Sequence, residues 1–221
     1  TRSFHVTGVQ TCALPISIAG YAAGMRNLQQ TSLLSDADAQ LVVQRISEQA
    51  ERAGRIIKSV HDFVRRRDQA REDASAQELI DAILPLLNLQ ARKLSVQVSL
   101  LLRPDLPRVH CDRTMVEQVL LNLARNGMQA MDEPGLWPRL LELRAQLINV
   151  EGVQWVEFSV ADIGTGIDPE IEQQLFTPFF TTKAEGMGLG LSLCRTVIEQ
   201  HGGTMRVERN QPRGTVFSFT L

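Results

Sequence analysis

The sequence predicts an α+β protein in which a long helix precedes a domain of mixed strands and helices. Three observations predict it. Apolar residues between Ser35 and Arg67 step alternately by four and three, the seam of a heptad-patterned helix. Segments with strand composition then come in pairs, Arg139–Asn149 with Val153–Ala161 and Thr204–Arg209 with Val216–Leu221. Between those pairs, Phe176 to Gly203 (FTPFFTTKAEGMGLGLSLCRTVIEQHGG) runs from a glycine-rich loop directly into a helix-periodic segment.

Composition bounds the possibilities. A chain of 221 residues that is 43% hydrophobic holds one medium domain plus something smaller, with a real core. A formal net charge of -2 argues against a nucleic-acid partner recruited by a basic surface. No apolar run approaches the roughly 18 residues of a membrane-spanning helix, so no membrane contact is expected of this chain; any anchor would lie upstream. Cys12, Cys111 and Cys194 are far apart and form no CxxC pair, which reads as reduced core thiols in a cytoplasmic setting.

In chain order, residues 1–17 fit nothing downstream. VTGVQTCALPI resembles a translated sequencing adapter, and the segment is excluded from fold reasoning. Ile18–Gln30 is expected to be a short helix, and Ser35-Asp36 starts the long one. Ala39, Val43, Ile46, Ala50, Ala53, Ile57, Val60 and Val64 form its seam, while Val42, Ile56 and Phe63 widen the stripe. One helical hairpin cannot bury a stripe that broad, so residues 36–67 are expected to form a homodimeric four-helix bundle. The alternative is a helix lying on the second domain. Arg65–Ser75 is charged and poor in large apolar residues, and residues 69–75 read as a linker. A helix at Ala76–Lys93, a strand at Val96–Leu102 and a turn at Arg103–Pro107 follow.

Arg113–Met131 is expected to be a largely apolar helix. Yet Gln118, Asn122, Arg125, Asn126 and Gln129 share one narrow face. Amides on a core helix cost free energy unless their hydrogen bonds are met, so the stripe faces either a ligand or solvent. The strand ending at Ala161 runs into Asp162-Ile163-Gly164-Thr165-Gly166-Ile167, which puts a carboxylate where a flat ring can approach bare backbone, unless it is a simple turn. Gly186, Gly188 and Gly190 alternate with Met187 and Leu189 just before the helix. Converging backbone N–H groups and a helix start together make an anion site, and phosphate is the usual anion. There is no GxxxxGK[ST], so this is not a P-loop. Trp137 and Trp155 read as packing residues.

The ordered set of amide-striped helix, DIGTGI, FTPFFTTK and GMGLGL resembles the catalytic domain of sensor histidine kinases, within the wider ATPase group of gyrase, the Hsp90 chaperones and MutL. The resemblance covers nearly all of residues 18–221. It implies a two-layer α/β sandwich at 76–221, preceded by a truncated dimerisation hairpin at 18–68. It also implies roles. Asn126 would hold Mg²⁺, with Asn122 ordering water or the metal's shell. Asp162 would accept from the adenine amino group and so select ATP over GTP, with Gly164 and Gly166 giving the base room. Gly186, Met187, Gly188, Leu189 and Gly190 would line the phosphates, with Thr182 and Lys183 beside them and the lysine supplying charge to the terminal phosphates. Thr215 either joins the network around adenine or is a plain strand threonine. Phe176, Phe179 and Phe180 would pack the lid against either the core or the helical hairpin. The implied reaction is attack by a histidine on the γ-phosphorus of Mg-ATP, then transfer to an aspartate on a response-regulator receiver domain.

One part of the pattern is missing. The phosphoacceptor should stand about nine residues before Ile18, inside the adapter-like segment, where position 9 is Val9. His5 lacks the Glu that should follow it, and His61 sits in the wrong half of the hairpin. His110 and His201 read as structural. The chain is therefore expected to bind Mg-ATP without phosphorylating itself. Competing readings are an ATP-hydrolysing clamp, a serine kinase of the anti-sigma type, and a silent ATP-binding dimerisation module. Clamp relatives carry a glutamate at the position where Asn122 stands here.

Overall fold

The computed structural model describes residues 19–25, 38–48, 50, 54, 71–133, 135–183 and 188–221. The chain divides into two compact units, Thr1–Asp68 and Gln69–Leu221. In the first unit, residues 19–25 and 38–48 are helical. Val43 of the expected seam is 55% exposed within it. His5, His61 and most of the expected long helix lie outside the described residues.

The second unit runs β1 (Glu72–Ala74), α1 (Ala76–Lys93), β2 (Gln97–Leu102), β3 (Val109–Cys111), α2 (Arg113–Ala130), β4 (Leu140–Val150), β5 (Val153–Asp162), α3 (Pro169–Glu172), α4 (Gly190–Gln200), β6 (Met205–Arg209) and β7 (Thr215–Thr220). Five strands make one sheet in the order β2-β4-β5-β7-β6. The β2–β4 pair is parallel and the others are antiparallel. Strand alternation sorts its faces. Leu141, Leu143, Val156, Phe158, Val160, Phe217 and Phe219 are buried on one face, where Phe158 and Phe219 stack with centroids 5.2 Å apart. The intervening positions are polar. There Glu157, only 4% exposed, accepts from Arg206 Nη2 at 2.6 Å and from Gln146 Nε2 at 2.9 Å. One apolar face per sheet calls for one layer of helices, and α2 packs against β4 and β5 while touching both α1 and α4. The result is the expected two-layer sandwich.

Local chemistry sets the element ends. Ser75 and Glu78 form a reciprocal capping box at α1, with Glu78 N donating to Ser75 Oγ at 3.1 Å and Ser75 N donating to Glu78 Oε2 at 2.8 Å. Asp112 caps α2 by accepting from Met115 N at 3.0 Å. His201, at the end of α4, donates from Nδ1 to Val197 O at 2.7 Å, and its Nε2 accepts from Asp112 N at 2.9 Å. Nδ1 thus anchors the ring on α4 and Nε2 ties it to the start of α2, the structural role expected of this residue.

Two elements depart from the sequence reading. Glu72–Ala74, expected within the linker, form a strand paired antiparallel with Val109–Cys111. A three-residue strand is too short to show periodicity, and its identity depends on a partner 35 or more residues away. Trp137, expected to pack, is 61% exposed, with the Arg139 guanidinium 5.1 Å from its ring centroid. It sits in the connection between α2 and β4.

Gly214 opens β7 under tight constraint. Its φ is +102°, and a Cβ built there would stand 2.0 Å from the carbonyl oxygen of Asp162. Gly214→Ala is expected to cost at least about 2 kcal/mol, since strained backbone and a backbone clash combine. Thermal unfolding should show this as a fall of several degrees, on the order of 2–4 °C per kcal/mol for a chain this long. An unchanged melting temperature would contradict the packing described.

Candidate nucleotide site

Asp162 is the last residue of β5, and the pairing of β5 with β4 and β7 places it in the middle of the sheet's end. It is 3% exposed. Its Oδ1 accepts from Gly164 N at 2.8 Å and from Thr215 N at 3.3 Å, while Oδ2 receives no hydrogen bond from the described residues. Burial pushes its pKa from 3.8 up to about 6; the two backbone donors and the charge of Lys183 pull the other way. Asn210 Nδ2 donates to Asp162 O at 2.7 Å, which fixes the backbone from below. Thr215 takes part through its backbone N–H.

Helix α2 passes directly over this carboxylate. A Cβ at Gly127 would meet Asp162 Cβ at 3.2 Å and Oδ2 at 3.4 Å. A Cβ at Gly164 would stand 2.5 Å from Ala130 O, so the DIGTGI turn lies against the end of the same helix. Thr165 N also donates to Ala130 O at 3.2 Å. The amide stripe therefore borders the Asp162 turn.

The stripe is not uniform. Gln118, Arg125 and Gln129 are exposed, and Asn122 and Asn126 are half-buried. Asn122, expected beside the metal's water shell, has Nδ2 on Cys194 Sγ at 3.1 Å and its amide against Gly190. It fastens α2 to the first turn of α4. Asn126, one turn later, has no side-chain hydrogen bond among the described residues, so its amide oxygen is available. No cluster of three or more His, Cys, Asp or Glu that could hold a metal occurs among the described residues. A single amide is nonetheless a fitting donor for Mg²⁺, which keeps several waters and takes the rest of its ligands from phosphates.

The described end of the glycine-rich segment, Gly188 to Gly190, packs against Phe179 and Asn122. Gly188 (φ +66°) accepts through its carbonyl from Phe179 N at 2.7 Å. Leu189 is buried and precedes the first turn of α4, which begins at Gly190. Phe176 sits edge-on to Phe217 with centroids 6.4 Å apart, and the Arg195 guanidinium lies 3.7 Å over its ring. Thr182 and Lys183 are exposed, and Lys183 Nζ donates to Gln129 Oε1 at 2.6 Å. Desolvation lowers the lysine's pKa, Arg125 lowers it further, and Asp162 raises it. Gly186 and Met187 lie outside the described residues.

Asn122, Asn126, Asp162, Gly164, Lys183, Gly190 and the Thr215 backbone are thus joined by direct contacts or lie on one helix face. Sequence reading placed Gln129 in the stripe without a role; its only signal was the three-residue step from Asn126. A cavity of about 330 Å³ is lined by Thr165, Gly166, Ile167 and residues 209–214. Gly166, expected beside the base, lines it, whereas Asn126, Asp162, Lys183 and Leu189 do not.

Residues 111–221 match the family described as "Histidine kinase-, DNA gyrase B-, and HSP90-like ATPase". The chain is 36% identical over 206 residues to the C4-dicarboxylate transport sensor protein DctS of Rhodobacter capsulatus, covering 93% of this chain and 31% of that protein. It is 37% identical over 211 residues to the sensor protein FixL of Bradyrhizobium diazoefficiens, covering 93% and 40%. The chain thus spans well under half the length of these curated relatives. Among solved structures, the catalytic domain of histidine kinase ThkA superposes with a TM-score of 0.60 at 32% identity, over 69% of this chain and 95% of that one. ThkA in complex with the response regulator protein TrrA gives 0.69 at 25% identity, over 100% and 63%.

Proposed function

Since the chain belongs to the family of histidine kinase-, DNA gyrase B-, and HSP90-like ATPases, with an ATPase domain of the sensor histidine kinase type, we propose that it binds Mg-ATP between α2, the Asp162 turn and the start of α4, and serves transfer of the γ-phosphoryl group to a histidine. The reading rests on Asp162. A carboxylate this buried is costly unless it has work to do, and one of its oxygens takes no hydrogen bond among the described residues. The adenine amino group is the donor assigned to it.

The remaining residues then fall into roles. Asn126 presents its amide oxygen to Mg²⁺. The metal, when bound, neutralises charge on the phosphates and holds them in line for attack. Gly188, Leu189 and the first turn of α4 offer backbone N–H groups to the phosphates, together with the positive end of the helix dipole. Asn122 holds that turn against α2. Lys183 adds a cation. In the transfer, an imidazole nitrogen bonds to the γ-phosphorus, the bond from that phosphorus to the β-bridging oxygen breaks, ADP leaves, and the imidazole N–H proton passes to solvent.

We assign the acceptor to the dimerisation hairpin of a complete kinase and the next acceptor to an aspartate of a response regulator, as the assembly of ThkA with TrrA supports. The exposed seam residue Val43 supports pairing of two hairpins. Asn122 stands where a water-activating acid would be in an ATPase clamp, and its amide is spent on Cys194, so a transferase is favoured over a hydrolase. No helix among the described residues is long and apolar enough to cross a membrane.

Titration calorimetry tests the reading. The chain is expected to bind ATP, and Asn126→Ala should remove most of the gain in affinity that Mg²⁺ confers, roughly 10- to 100-fold, the scale of losing a metal-positioning group. No binding of ATP with or without the metal would sink it.

A further inference from the structure

Gln129 is one turn beyond Asn126 on the exposed side of α2, and it reaches across 54 residues of sequence to hold Lys183. Lysine is a mobile cation on a four-carbon stem, and nothing else among the described residues takes a hydrogen bond from this ammonium. Its electrostatic surroundings explain why it needs an anchor. The guanidinium of Arg125 repels it and Asp162 attracts it. Gln129 Oε1 settles where between these it stands, at 2.6 Å from a side chain three positions from Asn126 and therefore on the same helix face.

We propose that Gln129 is a positioning residue, whose side-chain oxygen holds the Lys183 ammonium beside the Asn126 face of α2, where the terminal phosphate of a bound nucleoside triphosphate would meet it. This rests on the nucleotide reading above and adds to it the residue that distinguishes triphosphate from diphosphate. A lysine already in place gives up little rotamer freedom on contact with the γ-phosphate. A lysine without its anchor gives up more, and only ligands that reach it are affected. ADP, which ends one phosphate short, should be nearly indifferent to the change.

The test is a double-mutant cycle on the whole chain, with ATP and ADP affinities measured by calorimetry in the presence of Mg²⁺. Gln129→Ala is expected to weaken ATP about 3- to 10-fold and ADP less than about twofold, and to have no further effect in a Lys183→Met background, because the pair acts as one unit. Reductive methylation read by mass spectrometry reports the contact independently of nucleotide. The chain has three lysines, Lys58, Lys93 and Lys183. Gln129→Ala should speed modification of Lys183 severalfold relative to Lys93. Equal losses for ATP and ADP, or an undiminished effect in the Lys183→Met background, would overturn the assignment. A wild-type chain that binds both nucleotides while Gln129→Ala changes neither affinity nor methylation sinks this inference alone. A wild-type chain that binds neither nucleotide sinks the ATP reading and this inference with it.

Discussion

Asp162→Asn is expected to weaken ATP binding roughly 10- to 100-fold while making the folded chain more stable at neutral pH. The binding loss follows from hydrogen-bond polarity. Asparagine is nearly isosteric, and its Oδ1 can keep accepting from Gly164 N and Thr215 N. Its Nδ2 then stands in place of Oδ2, the oxygen proposed to accept from the adenine amino group, so two donors would meet. An unmatched buried polar pair costs about 1–3 kcal/mol. Guanine carries an oxygen in place of the amino group, so GTP should gain relative to ATP in the variant. Competition calorimetry with the two nucleotides measures this, and unchanged preference would remove Asp162 from the adenine site.

The stability gain follows from linkage. Burial raises the pKa of Asp162 from 3.8 to about 6, so the folded chain holds the proton more tightly than the unfolded one. Its contribution is most favourable below about pH 4, declines as pH rises toward 6, and is level above that. Two pKa units correspond to a ceiling of about 3 kcal/mol at neutral pH. Asp162→Asn removes the ionisation and should recover part of that amount, read as a higher urea midpoint at pH 7 and a smaller difference at pH 4. The same proton opposes the proposed adenine contact: below about pH 6 the carboxyl is mostly protonated, so wild-type ATP affinity should fall as pH drops through 6 while that of Asp162→Asn stays flat. A buried charge kept at the expense of stability is what a binding site produces.

Incubated with radiolabelled Mg-ATP, the chain is expected to gain no acid-labile, base-stable phosphate. The acceptor position expected from the family pattern falls at Val9. His201 spends both ring nitrogens on Val197 O and Asp112 N, so it has no lone pair free for phosphorus. His110 is paired through Nδ1 with Asp73 at 2.8 Å on the β1–β3 sheet. Gel autoradiography after acid and base washes reads the result. Stoichiometric labelling would show that a histidine such as His5 or His61 serves after all, and would overturn the expectation that this chain lacks its acceptor.

Much of the second unit was legible in the chain because its signals are local. The glycine alternation before Leu191, the acid that ends β5, and the Glu151-Gly152 turn, where both residues adopt positive φ (+53° and +84°), each follow from the residues at that point. The two-layer arrangement was legible through the family resemblance, which implied a sandwich at 76–221. Other features were not legible, since they depend on contacts between distant segments. β1 and β3 exist only as a pair, and the exposure of Trp137 depends on where the loop before β4 emerges.

The same division runs through the site. Sequence alone determined which residue types were available: a strand-end carboxylate, two amides a turn apart, a lysine and a glycine-rich helix start. Only the tertiary structure decided how they divide the work. Asn122 is consumed by Cys194 and Gly190 while Asn126 makes no side-chain hydrogen bond among the described residues, and Gln129, which had no assigned part, takes Lys183. The physical reason is that spacing along a helix sets which side chains share a face, whereas what each of them meets is set by the elements packed against that face.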